Sequence, residues 1–234
     1  IFVAALALAS GFQTALKQSG SPDHIIVLRK GADSEISSYV SLDAANIIRA
    51  HPAVALGADG RPLASPDLVV IANKPRLGQQ GSSNVTVRGI NSEGLALRTG
   101  VHVTAGRMFA PGSDEVIVGR RIAPRFADCR VGDELKFQKR PFKVVGHFRV
   151  AGASFESEVW GDAKVLMPVF HREGGYQVVV LRMKDPARFA ALKKELEGDP
   201  RLGVQVTRER DFYEEQSRAT TTLIRGLGIF ITVI

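Results

Sequence analysis

The sequence predicts an α+β fold in which a mainly-β unit is inserted into a discontinuous domain, and three observations lead to this prediction. Two stretches, one toward each end of the 234-residue chain, follow the same order of strand, helix, proline-terminated turn and strand. Between them lies a run of short β segments separated by glycine turns, since glycine adopts positive φ without steric cost. Apolar stretches flank the whole. Two strand–helix–strand units pack naturally into one sheet covered by two helices.

In the first arm, His24–Arg29 is predicted to be a strand because it is apolar and lies between a Ser-Pro pair and a glycine. Ser41 is expected to cap a helix that runs to Ala50 with an apolar stripe. Two further strands, Asp67–Asn73 and Asn84–Ile90, follow. They are joined by Lys74–Ser83, a segment rich in Gly, Gln and Ser that is predicted to be a mobile loop.

The central region is predicted to contain four short strands, which are Glu115–Val118, Glu134–Phe137, Phe142–Phe148 and Val165–Met167. Gly119–Ala127 is predicted to be its helix, although the proline within it requires a late start. No cluster of titratable residues lies at the glycine turns, so nothing indicates a chemical site there. We expect this region to be a small β barrel or sandwich with an apolar core.

The second arm repeats the order of the first. Tyr176–Met183 is predicted to be a strand, and Asp185 is followed by a proline, which suits the N-cap and first position of a helix. That helix is expected to stop at a Gly-Asp-Pro turn before a strand at Gly203–Thr207. A long final helix is predicted from Arg208 onward, with Phe212 and an adjacent tyrosine on its early face.

The two ends of the chain are apolar over residues 1–9 and 223–234. Neither stretch reaches the roughly 20 apolar residues that a spanning helix needs. We interpret them as the outer end of a first transmembrane helix, residues 1–18, and as a stalk and the start of a second, residues 211–234. The porter-like α+β subdomain then comprises residues 19–91 and 170–210, and the inserted β subdomain residues 92–169. A pair of buried core helices is the alternative for the two ends.

Composition is that of a globular chain, with 44% hydrophobic and 24% charged residues and a net charge of +7. The basic residues are spread along the chain, three tyrosines and one tryptophan are available for stacking, and no nucleic-acid-binding motif is present. We therefore expect no nucleic-acid partner, and a basic surface that faces anionic lipid or an acidic partner instead. The single cysteine, Cys129, is expected to be a small packing residue.

Motifs that would indicate catalysis are missing from the sequence. It contains neither a P-loop nor a G-x-S-x-G elbow, and its five histidines are far apart. Glu156 and Glu158 alternate as carboxylates commonly do on a solvated face. We therefore expect no catalytic, metal or cofactor residues, and no enzyme activity in this chain.

Four short motifs in a fixed order resemble the extracytoplasmic core domain of MacB-like and FtsX-like ABC transporter permeases. They are GRMF at Gly106–Phe109, EVIVG at Glu115–Gly119, VGD at Val131–Asp133 and VVG at Val144–Gly146. The resemblance covers nearly the whole chain. It implies that the two arms form the porter subdomain and that the insert forms the sabre subdomain.

The function implied by this resemblance is mechanical. Permeases of this kind form dimers, are driven by a cytoplasmic ABC ATPase, and lie in the inner membrane with this region in the periplasm. They pass motion to an adaptor protein or a substrate, in export, lipoprotein or lipid release, or mechanotransmission, and they contact membrane lipids. The family carries no catalytic residues here.

Partner contact is predicted in the loop at Lys74–Ser83, on the basis of its length and polarity, through Lys74, Arg76, Gln79 and Gln80. Two alternatives remain. One is a membrane-anchored ligand-binding module without transport coupling, which would place a pocket between arms and insert. The other is a hydrolase, which would need a nucleophile and a base within hydrogen-bond reach.

Overall fold

The computed structural model describes residues 21, 23–150 and 154–216, and its mixed architecture confirms the predicted α+β class. The predicted transmembrane segment at residues 1–18, and residues 217–234 of the second, lie outside the described residues. In the part of the chain that is described, no helix has the length and apolar character needed to cross a membrane.

The secondary structure consists of twelve strands and five α-helices among the described residues. The strands are β1 (His24–Arg29), β2 (Val40–Ser41), β3 (Ala64–Pro75), β4 (Ser82–Ile90), β5 (Val101–Gly106), β6 (Glu115–Gly119), β7 (Glu134–Phe137), β8 (Arg140–Val150), β9 (Glu158–Asp162), β10 (Gly175–Tyr176), β11 (Val178–Arg182) and β12 (Val204–Arg208). The helices are α1 (Leu42–Arg49), α2 (Ser92–Leu97), α3 (Ala163–Val169), α4 (Phe189–Gly198) and α5 (residues 209–216), and short 3₁₀ helices cover Ser154–Ser157 and Pro186–Arg188.

The arms fold as predicted because their local signals agree with their packing. The hydroxyl of Ser41 caps α1 by accepting a hydrogen bond from the backbone N–H of Ala44. Asp185 does the same for Ala187 at the start of the 3₁₀ turn that leads into α4. Each cap satisfies an N–H that the first turn of a helix leaves without a partner.

The helix predicted at Gly119–Ala127 is wrong, because this segment forms successive turns after β6. The N–H of Arg120 donates to the carbonyl of Phe148 and the N–H of Arg121 to the carbonyl of Glu156. These bonds to other elements hold the start of the segment to the sheet, and Pro124 supplies no N–H to continue a helical ladder.

The strand predicted at Val165–Met167 is also wrong, because these residues lie in α3. The carboxylate of Asp162 accepts a hydrogen bond from the N–H of Lys164, which starts the helix, and the side chain of Leu166 is fully buried. The strand of this region comes earlier, at β9, where five consecutive residues are buried.

One continuous sheet of ten strands organises the described part of the chain, in the order β12-β1-β11-β3-β4-β9-β6-β8-β5 with β7 also paired to β8. Strand β3 belongs to both halves of this sheet. Residues 64–67 pair with β11, and residues 68–75 pair with β4. Strand β4 then pairs in parallel with β9, so the sheet passes from the arms into the central region without a break.

The alternation of side chains in β1 separates two layers of the core. Ile25 and Val27 pack in a cluster with residues of α1 and α4. Ile26 and Leu28 point to the opposite face, as the two-residue period of a strand requires. They join a second cluster that includes Trp160 of β9 and side chains of α5. The first cluster covers one face of the arm sheet, and the second joins the arms to the central region.

Strand β12 lies at one end of the sheet, and side chains from α4 cover part of its outer edge. The carboxylate of Glu197 accepts a hydrogen bond of 2.7 Å from the N–H of Val206, and Lys193 Nζ donates one of 2.7 Å to the carbonyl of the same residue. Glu197 and Lys193 also pair with each other at 2.7 Å. Strand β5, at the other end, carries mostly exposed side chains.

Two motif glycines are required by close backbone contacts. A Cβ atom added at Gly119 would collide with the carbonyl oxygen of Glu156. One added at Gly146 would collide with the carbonyl oxygen of Arg107. Glycine therefore lets neighbouring segments pack at distances that a side chain would prevent.

Candidate functional site

The beginning of the described chain and the beginning of α5 are joined by Glu209. Its carboxylate accepts a hydrogen bond of 3.0 Å from the N–H of Ser21 and lies 3.1 Å from Nδ1 of His24. Glu209 is buried, whereas Ser21 and His24 are partly exposed. We call Ser21, His24 and Glu209 the clasp. It holds the chain before β1 directly beside the start of α5.

Helix α5 is anchored in the core by two aromatic side chains, Phe212 and Tyr213. Both are buried, and the ring of Tyr213 lies edge-on to Phe155 with 6.1 Å between centroids. Burial raises the pKa of Tyr213 well above its usual value, and the nearby charges of Glu35 and Glu209 add to the effect. A displacement of this helix must therefore disturb the core beneath it.

A buried arginine lies at the centre of that core. The side chain of Arg88 is 1% exposed and makes five hydrogen bonds. It donates two to Glu158, at 2.8 and 3.0 Å, two to Glu35, at 3.0 and 2.9 Å, and one to Asp67 at 3.4 Å. These use the five N–H donors of a guanidinium group. Burial opposes its charge, but Glu158 and Glu35 outweigh that cost and hold the pKa of Arg88 well above the usual value.

Further contacts extend this network to a second arginine and to aromatic rings. Arg98 pairs with Asp67, and the indole N–H of Trp160 donates a hydrogen bond of 2.7 Å to Glu158. The ring of Phe155 lies 5.0 and 5.6 Å from the two guanidinium groups. We call Arg88, Arg98 and their three carboxylate partners the buried cluster. Cation–π contacts of this kind strengthen as the site loses water.

The members of the buried cluster come from different parts of the chain. Glu35 follows β1, Asp67 lies on β3, Arg88 on β4 and Glu158 on β9. The cluster therefore lies where the strands of the first arm meet those of the central region. The ring of Tyr213 packs against Phe155, which contacts both arginines of the cluster, so α5 reaches the same place.

The prediction that Glu156 and Glu158 lie on a solvated face is wrong, because both are buried. Glu156 pairs with Arg120 at 2.7 Å and with Arg121 at 3.3 Å, and it accepts a hydrogen bond from the N–H of Val150. Buried carboxylates need such partners, because an unpaired charge inside a protein is costly.

A cleft of about 360 Å³ opens beside the clasp. It is lined by residues from the arms and from the central region, among them Ser21, His24, Arg98, Thr99, Phe155 and Glu209. Its volume lies within the range of small-molecule sites.

The residues predicted to bind a partner lie at the end of a β-hairpin, and the loop predicted at Lys74–Ser83 is shorter than expected, because residues 74–75 and 82–83 belong to β3 and β4. Lys74 is paired with Ser83 in the β3–β4 ladder, and the N–H of Arg76 donates a hydrogen bond of 3.2 Å to the carbonyl of Gly81. We call residues 74–83 the hairpin tip. Its pairing extends the long strands β3 and β4 away from the arms.

The structure brings some of these predicted side chains together and leaves others apart. Arg76 donates a hydrogen bond of 3.2 Å to the side chain of Gln79, and both Gln79 and Gln80 are exposed. Lys74 points elsewhere, with its Nζ 4.8 Å from the ring centroid of Phe137. Burial lowers the pKa of Lys74. Arg76, Gln79 and Gln80 thus form the accessible part of the predicted set.

The hairpin tip is supported by the segment that follows β6. Arg76 pairs with Phe126 in an antiparallel bridge. The N–H of Leu77 donates to the carbonyl of Arg125 at 3.0 Å, and the N–H of Ala127 to that of Pro75 at 3.2 Å. These bonds fix the exposed turn at 120–130 beside the tip.

Strand β3 joins the region of the clasp to the hairpin tip. His24 is paired with Arg182 of β11, and the neighbouring Leu181 is paired with Ala64, the first residue of β3. The twelve residues of β3, at about 3.3 Å per residue, span about 36 Å. The clasp and the tip therefore lie near opposite ends of one strand.

Sequence reasoning missed the buried cluster, although a signal for it exists. Arg88 lies in a strand whose other residues are β-branched or small, and Glu158 precedes Trp160 by two positions, so they share a face. A charged residue inside such runs indicates a buried ion pair when opposite charges occur in a neighbouring strand.

Chemistry of the remaining titratable residues is limited in the described part of the chain. Among the described residues, no three or more His, Cys, Asp or Glu side chains lie together in a way that could hold a metal ion. Burial raises the pKa of the Cys129 thiol to about 11, so this thiol is protonated at neutral pH and is a poor nucleophile.

The family described as "MacB-like periplasmic core domain" matches the chain over residues 1–199. The structure is similar to the extracellular domain of the noncanonical ABC-type transporter YknZ from Gram-positive bacteria, with 15% identity, coverage of 79% of this chain and 99% of that one, and a TM-score of 0.58. It is also similar to the periplasmic region of MacB from Actinobacillus actinomycetemcomitans, with 13% identity, coverage of 86% and 94%, and a TM-score of 0.59.

A domain of a permease protein from Porphyromonas gingivalis shows 14% identity, coverage of 81% of this chain and 93% of that one, and a TM-score of 0.51. No curated protein matches the chain at a significant level. At identities this low, the structural similarity is evidence for the fold alone.

Proposed function

Because the chain belongs to the family of MacB-like periplasmic core domains, we propose that it is the extracytoplasmic domain of an ABC transporter permease that transmits ATP-driven motion of membrane helices to a periplasmic adaptor or substrate. The single observation that carries this proposal is the clasp. Glu209 binds both Ser21 and His24, so the chain before β1 and the start of α5 are held side by side. A movement of one relative to the other acts directly on the contacts that the Glu209 carboxylate makes with Ser21 and His24.

The proposed route of transmission follows the sheet. Motion at the clasp and α5 reaches β1, passes through β11 to the start of β3, and arrives at the hairpin tip about 36 Å away. Every donor of the buried Arg88 guanidinium group is hydrogen-bonded to a carboxylate, and bonding of this kind makes a core stiff. Arg88 and its carboxylate partners beside β3 and β4 would therefore keep the arms and the central region moving as one body. The partner contacts Arg76, Gln79 and Gln80 at the tip, with Lys74 behind them.

In this proposal the permease forms a dimer in the inner membrane, is driven by a cytoplasmic ABC ATPase and contacts membrane lipids. The catalytic work belongs to the ATPase, and the domain described here contributes movement and contact. The cargo of the transporter would enter from the periplasmic side or be released on that side.

The test uses the full-length permease with its ATPase in lipid bilayers. A donor fluorophore on Gln79→Cys and acceptors on lipid headgroups report the height of the hairpin tip above the membrane. Cys129 is the single cysteine of these 234 residues and is buried and poorly reactive. Within this domain the engineered thiol is therefore labelled selectively. ATP is expected to change the energy transfer, and Glu209→Ala is expected to reduce that change. An ATP-independent signal with an active ATPase would refute the proposal.

A membrane-anchored ligand-binding module without transport coupling is the second candidate. The cleft beside the clasp favours it, because His24, Arg98 and Glu209 converge on a space of about 360 Å³ between arms and central region. If this is the function, addition of ATP would leave the height of the hairpin tip above the membrane unchanged. Substitution of Thr99, which lines the cleft, would change the affinity for a ligand. The same preparation therefore separates the two functions.

A further inference from the structure

Arginines are concentrated on the surface beside the hairpin tip. Arg76 lies on the tip itself, and the adjoining turn segment at 120–130 contributes Arg120, Arg121, Arg125 and Arg130. Asp128 is the one acidic residue in that segment. We call these five arginines the arginine surface. The hydrogen bonds that join Leu77 to Arg125 and Pro75 to Ala127 fix the two segments relative to each other.

This surface carries positive charge that the fold does not neutralise. Arg120 and Arg121 share one carboxylate, that of Glu156. Arg125 and Arg130 are exposed, and among the described residues neither lies within ion-pair distance of a carboxylate. Elsewhere among the described residues, the exposed Arg107, Arg140 and Arg201 each pair with a neighbouring acid. Arg149 and Arg172 are exposed without an ion pair in the described part of the chain, so the grouping of arginines distinguishes this surface.

An apolar contact point lies within the charged surface. Leu77, at the turn of the hairpin, is 49% exposed, and Pro124 in the adjoining segment is exposed as well. Protein interfaces commonly combine arginine with apolar side chains inside a polar rim.

We propose that the arginine surface docks a protein partner whose contact surface is rich in carboxylates. The guanidinium group binds a carboxylate through two parallel hydrogen bonds, so unpaired arginines select acidic side chains by geometry as well as by charge. Complementary charge of this kind accelerates encounter and rejects basic partners. The inference rests on the proposed function and specifies the chemistry of the partner at the hairpin tip.

Anionic lipid and nucleic acid fit the surface less well. In the proposed function the membrane lies on the side of the clasp, and the tip stands about 36 Å away along β3. Base stacking needs exposed aromatic rings, and the rings nearest the tip, Phe126 and Phe137, are buried.

The test compares two variants that each lose two positive charges. Arg125→Gln with Arg130→Gln neutralises part of the arginine surface. Lys184→Gln with Arg188→Gln removes two exposed charges near the start of α4. Binding is measured by fluorescence anisotropy with labelled poly-L-glutamate, with a 20-base-pair DNA duplex, and by flotation with vesicles of 30% phosphatidylglycerol in phosphatidylcholine.

We expect the variant of the arginine surface to bind poly-L-glutamate at least tenfold more weakly than the parent, and the control variant less than threefold more weakly. Equal losses in the two variants would mean that net charge alone attracts the polyanion, which would overturn the inference. A larger loss for the duplex or for vesicles than for poly-L-glutamate would also overturn it, in favour of that other partner.

Failure of this inference is distinguishable from failure of the proposed function. The variant of the arginine surface keeps the clasp, so the ATP-dependent change in tip height is expected to persist in it. Loss of that change in the parent transporter would count against the proposed function. Indistinguishable binding by the two variants, with tip movement intact, would count against the acidic partner alone.

Discussion

Replacing Arg88 with methionine removes the positive charge at the centre of the buried cluster while keeping a long side chain. Glu158 and Glu35 then lose their cation, whereas Asp67 keeps its pairing with Arg98. Removal of one partner from a buried ion pair costs about 3–5 kcal/mol. Since a domain is typically stable by about 5–15 kcal/mol, we expect Arg88→Met to lower the free energy of unfolding by about 3–5 kcal/mol at pH 7.

The cost is expected to depend on pH. The two carboxylates left in the core of the variant are costly when charged, and protonation relieves that cost. The difference in stability between parent and variant should therefore narrow as the pH falls from 7 toward 4. A loss caused only by poorer packing would stay constant over the same range.

Urea unfolding followed by tryptophan fluorescence provides the assay, since Trp160 is the single tryptophan and contacts Glu158 of the buried cluster. Arg149→Met, at an exposed position of β8, is the control and should change stability by less than about 0.5 kcal/mol. Arg88→Lys, which keeps the charge but has three donors, should fall between parent and Arg88→Met. A loss below about 1 kcal/mol, or one independent of pH, would refute the reasoning.

Three further substitutions or measurements test other parts of the structure. Gly119→Ala forces a Cβ against a backbone carbonyl, and it should lower the free energy of unfolding in urea by about 1–3 kcal/mol. Gly198→Ala is the control, because its Cβ meets open space, and it should be neutral or slightly stabilising. Equal effects of the two substitutions would contradict the packing. Cys129 is buried with a pKa raised to about 11, so its reaction with a disulfide reagent at pH 8 should be at least a hundredfold slower in the folded chain than in urea, and rapid labelling of the native chain would contradict its burial. The hydrogen bond from Arg107 lowers the pKa of Glu115 to about 2, against a usual 4.5; its contribution to stability is therefore complete above pH 4.5 and is lost as the pH falls toward 2. Glu115→Gln should accordingly lower stability by about 0.5–1 kcal/mol at pH 6, with no difference near pH 2, and a constant difference across this range would argue against the pairing.

Elements with strong local signals were predictable from the sequence. Strand β1 was predicted with its observed bounds because its apolar residues are buried on both faces and a glycine follows it. Helix α1 was predicted because Ser41 supplies an N-cap and the apolar stripe matches the helical period. The resemblance to MacB-like core domains, which rested on four short motifs, is confirmed by the family match. At Gly119 and Gly146, two of these motifs are explained by close backbone packing.

Elements that depend on distant partners were not predictable in this way. The turns after β6 resemble a helix in their apolar spacing, but their N–H groups bond to Phe148 and Glu156, which no local pattern shows. The run before Val169 is apolar enough for a strand, and the cap from Asp162 determines that it is helical. The hairpin tip looks like a loop in composition, and only the length of β3 and β4 reveals its pairing. The division at residues 19–91, 92–169 and 170–210 stays a prediction.

The candidate site was predictable only in its outer part. Polar, glycine-rich composition drew attention to Arg76, Gln79 and Gln80, which are accessible at the tip. The buried cluster was missed because a single arginine or glutamate within a strand does not reveal which strand lies beside it. Pairing of β4 with β9 places Arg88 opposite Trp160 and within reach of Glu158, and that register is a property of the fold.

The outer edge of β12 is occupied by its own helix, and this limits how copies of the domain can meet. Strands of exposed sheet edges readily join those of another molecule, which leads to fibres and precipitation. With the N–H and carbonyl of Val206 already bonded to Glu197 and Lys193, two neighbouring domains cannot fuse their sheets through this position. Copies of the domain that meet at this border therefore touch through side chains and not through backbone pairing.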